Sequence, residues 1–169
     1  MRDDLPTVAL SVRQPWAWAI IHAGKDVENR SNGAVRYMDF TRTPRIAIHA
    51  AKGMTREEYE AAAEFMDSIG VTCPHAVDLP RGSIIGAVSV VGLVSKSTSK
   101  WFFGPRGLIL KNPKACAPVP SVGALGLFKW SEADPSIIPA PAQWMRPARP
   151  KSKPLDRANL FEATGRDDE

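Results

Sequence analysis

Apolar and polar positions change period several times along this chain, and each change marks an element. Thr7 to Val12 (TVALSV) reads as a short strand. Gln14 then precedes Pro15, and proline is favoured at the first helical position, so a helix is predicted to start there. Trp16, Ala19, Ile20 and Ala23 recur at helical spacing, with Gly24 where a C-terminal cap belongs. Lys25 to Arg30 breaks the pattern: it is polar, is predicted to be irregular, and runs into the turn signal Ser31-Asn32-Gly33. Arg45 to Ala50 (RIAIHA) alternates as a strand. Thr55 and Glu58 form a capping-box pattern, and Tyr59, Ala62, Ala63, Met66 and Ile69 mark one face of a helix ending at Gly70. Val71 to Arg81, with two prolines, reads as a loop.

Ser83 to Val94 (SIIGAVSVVGLV) is the strongest strand. Its β-branched residues occupy both parities, as a central strand covered on both faces requires. Gly86 and Gly92 inside it predict bends or bulges, which small barrels use at their corners. Gly107 to Leu110 and Ala124 to Trp130 add two strands, joined by a proline-rich connection over Asn112 to Pro120. The order β-α-loop-β-α-β-β-β does not suit a doubly wound parallel sheet. It predicts an α+β fold over residues 1 to 130, a small mixed β-barrel with two or three flanking helices. Beyond Trp130 the character changes, and six of the fifteen prolines fall between Pro135 and Pro154. Residues 131 to 169 therefore read as an extended arm that wraps the barrel or is loose, with Trp144 and Leu160-Phe161 as its candidate anchors.

Composition narrows the chemistry. No apolar run approaches the roughly 18 residues of a membrane span, and Met1-Arg2-Asp3-Asp4 leads into the first strand without a signal-peptide hydrophobic region. Cys73 and Cys116 lie far apart, which fits free thiols in a reducing cytoplasm. His22, His49 and His75 show no paired spacing, so neither a metal nor a cofactor is expected. The net charge is only +4, but its distribution is uneven. Between Leu79 and Ser131 there is no Asp or Glu, while Arg81, Lys96, Lys100, Arg106, Lys111, Lys114 and Lys129 all fall inside. Such a bias either presents a positive face to a polyanion or decorates solvated loops.

Arg13-Gln14-Pro15-Trp16 and Gly24-Lys25-x-x-Glu28-x-Arg30 flank one short helix, so the two segments can come together. They would assemble an amide, an indole, an ammonium, a carboxylate and a guanidinium, the assortment a nucleotide pocket uses for stacking, base edges and phosphate. Lys25, just past a helix end, is predicted to lean over the barrel mouth as an exposed side chain paired with Glu28.

The segment LSVRQPWAWAIIHAGKDVENRS resembles the opening of ASCH domains, a family of PUA-like barrels, and Gly24-Lys25-x-x-Glu28-x-Arg30 is similar to that family's most recognisable motif. Ile46 to Ala50, Gly82 to Gly86, Trp101 to Pro105 and Gly123 to Phe128 resemble later blocks of one subgroup, so the likeness spans roughly residues 7 to 130. The resemblance implies a PUA-like barrel with a positively lined cleft beside the first helix. It also implies RNA or another nucleic acid as partner, with DNA or a modified nucleoside as variants, and leaves a protein partner unknown. Some members are enzymes, either a ribonuclease or an amidohydrolase that removes acetyl from acetylcytidine. In an enzyme of that kind Lys25 and Glu28 would be catalytic. Where the amidohydrolase type carries threonine three residues after the lysine, this chain has Glu28.

Each candidate also has a plainer role. Lys25 is a ligand for phosphate or base, or one half of an ion pair with Glu28. Glu28 orients Lys25 and Arg30 or meets ligand. Arg30 clamps a phosphate bidentately or forms a structural salt bridge. Trp16 stacks on a base or belongs to the core, Arg13 joins the phosphate contacts, and Gln14 reads a base or caps the helix. Lys100, Trp101 and Arg106 form a second cluster, an aromatic patch with interleaved cations suited to single strands or a packed loop crossing. His49 and Lys52 follow a strand end from which they could reach the cleft.

Overall fold

The computed structural model describes residues 4–35 and 38–148. Six strands form one curled, half-barrel sheet in a mixed α+β fold with three helices. In chain order these are β1 (Val8–Val12), α1 (Trp16–His22), β2 (Val27–Arg30), α2 (Asn32–Val35), β3 (Arg45–Ala50), α3 (Arg56–Ser68), β4 (Ser83–Val94), β5 (Arg106–Pro120) and β6 (Leu127–Lys129). The spatial order is β2-β5-β4-β3-β1-β6, so β2 and β6 are the two edges. The β1–β3 pair is parallel and the other pairs are antiparallel.

α1 lies against β3, β4 and β5. It buries Ala17, Ile20 and Ile21 in the main core with Leu10, Ile46, Ile48, Val88 and Leu108. Gly86 makes that docking feasible, because a Cβ there would stand 2.5 Å from the Lys114 carbonyl and 2.8 Å from Ile21 Cδ1. Gly86 and Gly92 each flank a register shift between β4 and β5, as the glycines predict. The capping box of α3 is complete: Glu58 N donates to Thr55 Oγ1 at 3.2 Å, and Thr55 N donates to Glu58 Oε2 at 2.9 Å.

Three segments depart from expectation. Val27–Arg30, predicted to be irregular, is an edge strand. Val27 buries itself with Ala19, Met66 and Trp101, while Glu28 and Arg30 share the other face. Two charged residues at inward positions hide its strand pattern, and pairing with distant β5 supplies the ladder. Asn112 to Pro120, predicted to be a connection, belongs to one long strand. Pairing with β4 holds at Lys111, Lys114, Ala115, Val119 and Pro120, so Asn112-Pro113 and Cys116-Ala117-Pro118 fall in the shifts. Pro113 and Pro118 thus sit where the ladder asks no N–H of them. Ala124 to Gly126 is loop, and strand begins only at Leu127.

The described part of the arm wraps the half-barrel. Met145 is buried with Met54, Ala76 and Leu79, and the Trp144 ring lies 5.9 Å from that of Tyr59. Arg81 ties the arm down, donating to the carbonyls of Lys52 (2.7 Å) and Ala140 (3.2 Å). Leu160-Phe161, the other candidate anchor, lies outside the described residues. Cys73 and Cys116 are free thiols. Among the described residues no helix is long and apolar enough to cross a membrane.

Candidate functional site

The half-barrel does not close, and several of the candidate side chains gather where the closure fails. β6 pairs with β1 only as far as Leu10↔Leu127, so Ser11 and Val12 run on past the end of that ladder. Arg30, at the end of the opposite edge strand, donates from Nη2 to the Ser11 carbonyl at 2.8 Å. One guanidinium therefore bridges β2 to β1. Beside it lies a cleft of about 470 Å³ lined by Arg30, Gly33, Ala34, Met38 and Leu125 to Leu127.

A chain of polar contacts runs through this seam. Lys25 Nζ donates to the Val27 carbonyl and, at 2.7 Å, to Glu28 Oε2. Glu28 Oε1 stands 3.3 Å from Arg30 Nη2. Beyond Arg30, Ser11 Oγ lies 2.9 Å from His49 Nδ1, and His49 Nε2 lies 2.9 Å from the Ser121 carbonyl. A carbonyl can only accept, so neutral His49 carries its proton on Nε2 and accepts the Ser11 hydroxyl at Nδ1. Gly123 passes directly over this pair. A Cβ there would be 2.5 Å from His49 Cε1 and 2.8 Å from Ser11 Oγ, so only glycine fits. A second cleft of about 350 Å³ opens here, lined by Ser11, His49, Ala51, Lys52 and Val122 to Leu125.

Lys25 differs from its predicted setting. It is 3% exposed, and Glu28 is 7% exposed, so the pair is buried instead of leaning over the mouth. Gly24, at φ +70°, turns the chain so that Lys25 N reaches back to the Ala19 carbonyl (3.1 Å). The lysine's role in this geometry is to hold Glu28, which in turn holds Arg30.

Arg106 faces Arg30 directly across the β2–β5 ladder, on the same face of the sheet. Like charges so placed repel. Nε of each arginine is buried without a hydrogen-bond partner among the described residues, and Arg106 forms no ion pair there.

The structure thus gathers Lys25, Glu28, Arg30, His49 and Arg106 along the seam, with exposed Lys52 at its rim. The remaining candidates lie elsewhere. Arg13 is exposed and pairs with Glu58 at 2.6 Å. Gln14 is buried, donating to the Pro80 carbonyl (2.7 Å) and accepting Trp18 N (2.9 Å), which is the capping role. Trp16 meets Trp101 edge-on at 6.4 Å and also contacts Phe65 and Phe103. This aromatic cluster is tied through Asn29, on the opposite face of β2 from Arg30, to Trp101 O and Phe103 N. Lys100 is exposed beside it. Sequence reasoning names none of Ser11, Ser121, Gly123 and Leu125 as site residues, although Ser11 lies in the opening segment and Gly123 to Phe128 is one of the blocks that carry the resemblance.

Burial pushes His49 below its ordinary value of 6.5, the Lys52 charge adds to this, and the bond to Ser121 opposes it. Below pH 6.5 the unfolded chain therefore binds a proton that the folded protein resists, and stability falls as pH falls. The Glu58 carboxyl, held low chiefly by the Thr55 amide, contributes only below its ordinary 4.5. Urea unfolding between pH 7 and 5 is expected to show a downward slope in wild-type protein that is lost in His49→Gln. An unchanged slope in that variant would assign the dependence to another group.

Neither a protein-family model nor a curated protein sequence matches this chain.

Proposed function

We propose that the protein is a nucleic-acid-binding module of the ASCH type, a PUA-like barrel, with RNA as the favoured partner. The strand would lie along the seam between β2 and β6, its phosphates facing Arg30 and Arg106. The observation that carries this reading is the pair itself. Two arginines face each other across one ladder, each with a buried Nε that has no hydrogen-bond partner among the described residues, and an anion bridging their outer nitrogens would offset the like charges. The wider charge pattern agrees. Of the seven cations in the acid-free stretch, only Lys114 has a carboxylate within reach among the described residues, Asp4 at 3.4 Å. Among the described residues the excess is thus little neutralised by carboxylates, and apart from Arg81, which holds the arm, it can meet a polyanion.

Lys25 supports binding over hydrolysis. A catalytic amine needs access to substrate and a free lone pair, whereas this ammonium is buried and committed to Val27 O and Glu28. A base or modified base would occupy one of the two clefts, and the free thiols accord with a cytoplasmic setting.

Titration of a labelled short single-stranded RNA at several salt concentrations tests the reading. With about four phosphate contacts, log affinity is expected to fall against log salt with a slope of roughly −3. Absence of binding, or affinity indifferent to salt, would overturn it.

A further inference from the structure

Leu125 is 99% exposed, well beyond the next large apolar side chains, Val122 at 62% and Phe103 at 59%. Its loop is nevertheless anchored. Ser121 is fully buried with its carbonyl on His49, Gly123 is seated on the His49–Ser11 pair, and Gly126 turns the chain at φ +68° into β6. The tip is therefore an apolar side chain held out on a fixed base.

Its position is specific. Leu125 lines both clefts of the seam, the one containing Arg30 and the one rimmed by Lys52. Its immediate neighbours are alanine and glycine, and Val122 is the other exposed apolar side chain of the loop, so the apolar area is two small projections flanked by Arg30 and Lys52. A protein partner that buries apolar surface would need a contiguous patch. An apolar side chain projecting between two cations matches the wedge with which proteins part stacked bases.

We propose that Leu125 enters the base stack of a bound nucleic acid and directs the parted base into one of the flanking clefts. The preferred ligand is then a base-stacked or paired segment that can be opened, as in an RNA stem. This inference rests on the seam being the nucleic-acid site.

The test uses the whole chain and an RNA hairpin carrying 2-aminopurine within its stem, whose fluorescence rises when the base leaves the stack. Wild-type protein is expected to bind and to raise fluorescence severalfold. Leu125→Ser, whose thermal melt should match wild type because the side chain is solvated, is expected to bind no more than about tenfold more weakly and to give no rise. Binding without a rise in wild-type protein, or an equal rise with Leu125→Ser, would overturn the wedge while leaving the binding site intact. Failure of wild-type protein to bind either the hairpin or its single strand would overturn both readings.

Discussion

Lys25→Ala is expected to cost about 3 kcal/mol of stability, at the low end of the range for removing one partner of a buried ion pair. The variant leaves the Glu28 carboxylate 7% exposed with, among the described residues, Arg30 alone at 3.3 Å to offset its charge. Arg30 in turn is drawn away from the Ser11 carbonyl, so the damage reaches across the seam. For a domain of this size the loss corresponds to a melting temperature lower by roughly 6–12 °C. Lys25→Met combined with Glu28→Gln is expected to recover much of it, because no unpaired carboxylate remains buried. Calorimetry of the two variants decides the matter. An unchanged melt in Lys25→Ala would mean that the lysine is solvated in solution.

Arg106→Ala should behave in the opposite way. Removing it relieves the like-charge contact with Arg30, so stability is expected to stay level or to rise by up to about 1 kcal/mol. Affinity for RNA is expected to fall by about 10- to 100-fold, the loss of a charge-assisted hydrogen bond to phosphate. A residue whose removal steadies the fold and weakens binding is serving the ligand. If the variant instead melts earlier and binds normally, Arg106 is structural.

The two variants separate what was legible in the sequence from what was not. Elements driven by apolar period were legible: β4 runs over the residues its β-branched content marks, α3 carries both arms of its capping box, and Gly86 and Gly92 flank shifts in register. The motif residues Lys25, Glu28 and Arg30 were legible as a group, because no apolar pattern accounts for them. Their direction was not. β2 turns charged residues inward, which erases the alternation that marks a strand, and only pairing with β5 shows which face each side chain takes. Pro113 and Pro118 hid in the same way, since a strand interior tolerates them at bulges, and bulges belong to the pair. Trp16 and Trp101 offered aromatic faces in one dimension that three dimensions spend on each other. Leu125 was invisible because exposure of a loop leucine depends on what surrounds it.

If Arg30 and Arg106 together face phosphate, the salt dependence of RNA binding must differ between wild type and Arg106→Ala. Loss of one phosphate contact should make the log–log slope shallower by about 0.7 on a single strand, from roughly −3 toward roughly −2. That change, with the fold intact by its melt, is the predicted result. Parallel lines of equal slope and equal affinity for the two proteins would mean that phosphate does not meet Arg106.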